Sequence, residues 1–98
     1  MNLILLNNRQ MIIGEIVISS ENESVFGDFV PAPKFSEYSA LFQEFEKAVN
    51  DQLFMEVERM ERVIDQLNCF VIDKNNGERK GIFNLQIMES GISFQWRR

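Results

Sequence analysis

The chain contains no histidine and a single cysteine, Cys69. Histidine is the side chain whose ordinary pKa best suits proton transfer near neutral pH, and transition-metal sites are built mostly from histidine and cysteine. A zinc site, a Ser-His-Asp triad and a Cys-His dyad are therefore excluded by composition. One cysteine cannot close an intrachain disulfide. Cys69 stands in the apolar run Cys69-Phe70-Val71-Ile72, where a buried and inert thiol is expected. The glycines at 14, 27, 77, 81 and 91 match neither GxGxxG nor the Lys-Ser/Thr ending of a P-loop, so no nucleotide cradle is present. Long apolar runs are also missing. Met11 to Ile18 is cut by Gly14 and Glu15, far short of the ~20 residues that cross a bilayer. Met1 to Leu6 has no basic flank and gives way at once to Asn7-Asn8-Arg9-Gln10, so no secretion signal is read there. The expectations are a cytoplasmic protein that is not an enzyme, with no metal, no cofactor and no membrane association.

What is present is enough for one core. Apolar residues make up 45% of the 98 positions and include nine phenylalanines. A chain of this length buries roughly 60 to 65% of its unfolded surface, so residues 1–98 are expected to form a single α+β domain. The net charge of -5 is uneven: residues 1–35 sum to -2, residues 36–68 to -5 and residues 69–98 to +2. An acidic middle argues against general affinity for DNA or RNA, because phosphate binding draws on clustered Lys and Arg. It is compatible with a basic protein partner.

Three apolar runs open the chain, Leu3 to Leu6, Met11 to Ile18 and Val25 to Phe29. In the second, Ile12, Gly14, Ile16 and Ile18 fall on one face of a strand and Glu15 on the other, with Gly14 marking a bulge or a close backbone approach. Pro31 and Pro33 end this pattern. Ser36 is placed to cap a helix whose stripe is Tyr38, Leu41, Phe42, Phe45, Ala48 and Val49. Asn50-Asp51 ends it and caps a second helix carrying Leu53, Val57, Met60, Ile64 and Leu67, which Asn68 stops in a left-handed conformation. The runs Cys69–Ile72, Ile82–Met88 and Ile92–Trp96 follow, separated by the turn signals Asn75-Asn76-Gly77 and Glu89-Ser90-Gly91. Alternation assigns Phe83, Leu85 and Ile87 to the core face of one strand and Ile92, Phe94 and Trp96 to that of the next. The predicted fold is thus an antiparallel sheet of order βββααβββ, two meanders with the helical pair packed on one face.

Two groups of residues are candidate binding elements. Glu37, Glu44, Asp51, Glu58 and Asp65 recur at intervals of seven, and Glu61 lies beside them, so a continuous or gently bent helical segment would align this acid along one side. Such a ridge is either a partner surface that steers a basic protein or simply a solvated face. The second group is Phe29 and Phe35, on the stiff segment Gly27–Phe35. Each either anchors a partner or folds inward, Phe35 then stapling the first helix. Arg79-Lys80 and Arg97-Arg98 lack an exposed aromatic platform and are read as solubilising charge, not as a nucleic-acid site.

The residues Gly27-Asp28-Phe29-Val30-Pro31, Phe35, Tyr38, Leu41-Phe42, Ile64-Asp65-Gln66-Leu67 and Phe70-Val71-Ile72 resemble a family of small bacterial proteins, a domain of unknown function with no assigned activity. The resemblance spans roughly residues 12 to 96. It implies a bacterial cytoplasmic origin and carries over no site, since packing and turn residues alone make it. The functional expectation is a non-enzymatic protein–protein interaction module. Its sharpest form is an immunity-type inhibitor that covers a basic toxin, by analogy of size and charge. The alternatives are a homo-oligomer joined through a strand edge and a small-ligand binder.

Overall fold

The computed structural model describes residues 1–97. The strands are β1 (Asn2–Leu6), β2 (Ile12–Glu21), β3 (Val25–Pro31), β4 (Phe70–Asp73), β5 (Arg79–Met88) and β6 (Gly91–Trp96). Between β3 and β4 come a 3-10 turn (Pro33–Glu37) and the helices α1 (Ser39–Asn50) and α2 (Phe54–Asp65). The element order matches the sequence expectation, but the sheet is not open. Its strands follow one another as β1-β2-β3-β6-β5-β4, and β4 pairs antiparallel with β1, closing a six-stranded barrel. The predicted open double meander is corrected on this point. Each meander is present, but Leu3 to Leu6 zip onto Asp73 to Phe70 along one seam, while β3 meets β6 through Val25–Gly27 on the other.

Closure requires strands to bend, and the sequence supplies bulges where they do. In β2, Leu5 faces Gly14 and Leu6 faces Ile12, so Ile13 is an extra residue. As a result Ile13 is fully buried and Ile12 is 48% exposed, the reverse of the alternation expected for Ile12. Gly14 is needed there for close approach: a Cβ would lie 2.5 Å from the Phe29 ring and 2.6 Å from the Val30 carbonyl oxygen. In β5, Asn84 and Leu85 together oppose Phe94, between the pairs Phe83–Gln95 and Gln86–Ser93. Asn84 takes the left-handed conformation (φ 53°), and its amide donates to Gln95 Oε1 at 2.6 Å. The bulge moves the core face from Phe83 to Ile82, which is buried with Leu85 and Ile87. Strict alternation had placed Phe83 inside; the extra residue turns it outward.

One continuous core joins the barrel and the helices. It holds Leu3, Leu5, Ile13, Ile16, Val25, Val71, Ile92 and Phe94 from strands, with Phe42, Phe45 and Ala48 from α1 and Met60 and Ile64 from α2. Both helices pack on each other and on β5. Tyr38, just before α1, accepts a 2.7 Å hydrogen bond from the buried Asn7 amide. Asn7 Oδ1 in turn accepts from the backbone N–H groups of Arg9 and Met11 at 2.9 and 3.0 Å. This residue therefore ties the helical segment to the β1–β2 turn with its polar atoms satisfied.

The helix ends differ from expectation. Ser36 belongs to the 3-10 turn, where its hydroxyl donates to the Pro33 carbonyl, and it caps no α-helix. Residue Leu53, not Asp51, occupies the position before α2, and no side chain caps that end. Asn68 is left-handed as expected (φ 47°), and Gln52 (φ 57°) turns the chain sharply between the helices.

Because Asn84 sits at positive φ within a strand, Asn84→Val is expected to lower stability by about 1–2 kcal/mol and Asn84→Gly to be nearly neutral. Urea denaturation of the two variants checks this; equal losses would mean that the amide bond to Gln95, not the backbone conformation, sets the requirement.

Candidate functional site

The break at Asp51-Gln52-Leu53 decides where the acidic residues go. The seven-residue spacing of Glu37, Glu44, Asp51, Glu58 and Asp65 aligns them only on an unbroken helix, and the structure has a 3-10 turn and two helices with a corner between them. No single ridge forms. Glu37 lies in the 3-10 turn, 4.0 Å from Lys34. Glu44 is near Arg59, whose pKa is raised first by a hydrogen bond to Glu56, then by the Glu56 charge and also by Glu44. Glu58 is exposed on α2. Glu61 and Asp65 line a polar cleft of about 220 Å³ with Ser24, Asn84, Gln86, Ser93 and Gln95.

Asp51, Phe29 and Phe35 instead come together. They line a groove of about 610 Å³ between α1 and the β5–β6 turn, a volume within the usual range for ligand pockets. Its apolar lining is Phe29, Phe35, Phe42, Ile87 and Met88. Phe35 meets Phe29 edge-on, with centroids 5.0 Å apart, and stacks on Phe42 at 6.0 Å. The rings are partly buried against the core, as the inward reading has it, and they also form the groove wall. Glu46, Asp51 and Glu89 supply three carboxylates to the lining and Lys47 the one cation, with Ser39, Gln43 and Asn50 completing it. Glu46 also fixes the groove's width, because its carboxylate accepts the Glu89 backbone N–H at 2.8 Å.

The groove ends at Asn50 and Asp51, and the chain continues into an exposed apolar corner. Phe54 and Met55 are 73% and 86% exposed there, beside Leu53 at 49%. The helical stripe had assigned Leu53 to the core. The sharp turn at Gln52 starts α2 late and leaves it outside. Glu46, Ile87, Met88 and Glu89 were not recognised from the sequence, since the contact between Glu46 and Glu89 joins residues 43 apart. The only local signal was the turn Glu89-Ser90-Gly91, which positions that end of the hairpin.

Among the described residues, no group of three or more His, Cys, Asp or Glu side chains is placed to hold a metal ion. Among them also, no helix is long and apolar enough to cross a membrane. Burial pushes the Cys69 thiol up to about 12, away from nucleophilic use near neutral pH. Comparison with protein-family models, with curated proteins and with solved structures finds no match. The resemblance carried by Gly27–Pro31 and its companion residues therefore assigns no family.

The raised thiol pKa makes a signed prediction. Cys69 stays protonated in the folded state while its ordinary value is 9.0, so the unfolded chain gains ionisation free energy first as pH rises. Stability is expected to fall between about pH 9 and 12 by an amount that Cys69→Ala removes, and alkylation by iodoacetamide at pH 8 should be much slower in the folded protein than in urea. Equal alkylation rates in both states would show that the thiol is not shielded.

Proposed function

We propose that this protein is a non-enzymatic interaction module of the bacterial cytoplasm that binds a basic, partly apolar segment of another protein. The observation that supports this reading is the groove along α1: an aromatic and aliphatic wall under a lining with three carboxylates and one lysine. Apolar surface supplies the attraction, and the charge imbalance selects a partner carrying Lys or Arg. The exposed Phe54 and Met55 extend the contact surface beyond the groove.

A second copy of this chain is a poorer occupant. Its own helical segment is acidic, and two such surfaces meeting would place like charges together. Barrel closure also gives each strand among the described residues a hydrogen-bonded neighbour on both sides, which argues against assembly through a free strand edge. A toxin with a basic active surface is the narrowest form of the proposed partner.

Nuclear magnetic resonance titration with an eight-residue peptide of alternating Lys and Leu tests the proposal. Amide shifts are expected at Ser39, Gln43, Lys47 and Met88. Ser39→Trp, which fills the groove, should abolish them, and Asp51→Lys should weaken binding about two- to five-fold. Raising salt should weaken it further. Equal binding of a Glu-and-Leu peptide would refute the charge selection; unchanged binding by Ser39→Trp would remove the groove from the mechanism.

A further inference from the structure

Pairing of β4, β5 and β6 assembles a second surface. Phe70 on β4 pairs with Gly81 on β5, and the Arg97 backbone N–H, just past β6, donates to the Gly81 carbonyl at 2.9 Å. Gly81 therefore forms the bare middle of a saddle over the barrel rim, with Arg79 and Arg97 on its outer side and Lys80 and Trp96, which pair with buried Val71 and Ile82, on its inner side. A Cβ at Gly81 would lie only 3.3 Å from Arg97 Cβ, so the absent side chain is what lets Arg97 lie close across β5. Two grooves, of about 490 and 190 Å³, share Arg79, Gly81 and Arg97 in their linings.

The cations of this saddle rest on aromatic rings. The Arg79 guanidinium is 3.7 Å from the centroid of Phe70, and that of Arg97 is 5.7 Å from Phe83, the ring turned outward by the Asn84 bulge. The Lys80 ammonium is 5.1 Å from Trp96, which is itself propped edge-on by buried Phe94 at 5.3 Å. Among the described residues, the ion pairs within 4.0 Å are Lys34–Glu37, Arg59–Glu56 and Lys74–Glu15, and none involves these three cations. Stacking holds a guanidinium in place without neutralising it, leaving its N–H edge for phosphate and its second face for a planar base. The sequence reading found no aromatic platform beside Arg79-Lys80 and Arg97 because the platform is made by β4, the bulge and the last residue of β6.

We propose that this saddle binds single-stranded nucleic acid, with phosphates on Arg79, Lys80 and Arg97 and bases stacked on the arginine planes and Trp96. Arg79 and Lys80 on β5 and Arg97 just past β6 stand on two neighbouring strands ~4.8 Å apart, and their long side chains give room for two or three phosphates of one strand. A single strand fits better than a duplex. Glu21 lines the larger groove and Asp65 the smaller, and the acidic helical segment adds further repulsion. A flexible strand can enter the saddle with a few phosphates, whereas the dense and rigid charge of a duplex meets the acid as well. The proposal is independent of the α1 groove.

Trp96 is the only tryptophan, so its emission reads this surface directly. The experiment titrates the protein at low salt with labelled ten-nucleotide oligouridine and oligothymidine, following tryptophan emission and label anisotropy. The other arms are a ten-base-pair duplex, heparin and uridine monophosphate. Expected results are quenching of Trp96, a Kd of about 10–100 µM, and a log–log salt slope near about -2 for three phosphates. The double variant Arg79→Glu with Arg97→Glu, both exposed positions, should lose at least about tenfold in affinity with an unchanged circular dichroism spectrum and melting curve. Arg79→Gln with Arg97→Gln should fall between it and the native protein, which excludes a folding defect as the cause. Absence of quenching and of anisotropy change at millimolar oligonucleotide would overturn the proposal, as would undiminished binding by the double reversal. Equal binding of heparin or duplex would replace it with a general polyanion surface, and saturation by uridine monophosphate with the same affinity would replace it with a mononucleotide site.

Discussion

The pairing of β1 with β4 is the constraint on which the other features depend. It joins Leu3–Leu6 to Phe70–Asp73 and so converts two separate meanders into one barrel with a common core. Without it, the backbone groups of β1 on that side would have no partner in the fold, and fully buried Leu3, Leu5 and Val71 would line a broken seam. The bulges at Ile13 and Asn84 follow from the same requirement, since a short sheet closes only if some strands bend. The two surfaces are built on the second meander: the β4–β5 pairing places Phe70 beside Gly81, and packing of α1 on β5 opens the groove next to the β5–β6 turn.

Much of this was legible in residue pattern, and the failures have physical causes. Element order could be read because apolar periodicity changes from two to about 3.6 and back, with Pro31 and Asn68 marking the two changes. Gly14 was identified as a bulge or close approach, and both are present. Closure was not legible, because β1 and β4 look like any other short apolar runs and hydrogen bonding between distant strands leaves no local trace. The faces of β2 and β5 were misassigned at Ile12 and Phe83 for one reason: a single inserted residue reverses every later side chain, and alternation alone does not reveal which residue is extra. The acidic residues do not fall along one side, because their alignment required a continuous or gently bent helical segment and Gln52 in the left-handed region breaks it.

The molecule separates its surface chemistry by element. The helical segment carries most of the acid and, at its corner, the most exposed apolar side chains, while the β4–β5–β6 saddle presents cations supported by rings. Buried polar side-chain atoms all have partners among the described residues, so neither surface exists to relieve an internal deficit. Asn7 illustrates the economy of the interior: one amide satisfies two backbone donors and holds Tyr38, fixing where α1 begins relative to β1.

The seam between β1 and β4 also orders the folding process. β1 can pair with β2 as soon as the first turn is made, but its other neighbour lies beyond the whole helical segment, with Leu6 meeting Phe70. Contacts this distant in sequence carry a large loop-closure entropy and form late. On a ribosome, β1–β2–β3 therefore emerges as a three-stranded meander with two open edges, β1 waiting for β4 and β3 for β6. Residues Asn2 and Glu15 at the polar positions of β1 and β2, together with the brevity of β1, limit mispairing during this interval. The barrel is complete only when both long-range seams, β1–β4 and β3–β6, have closed.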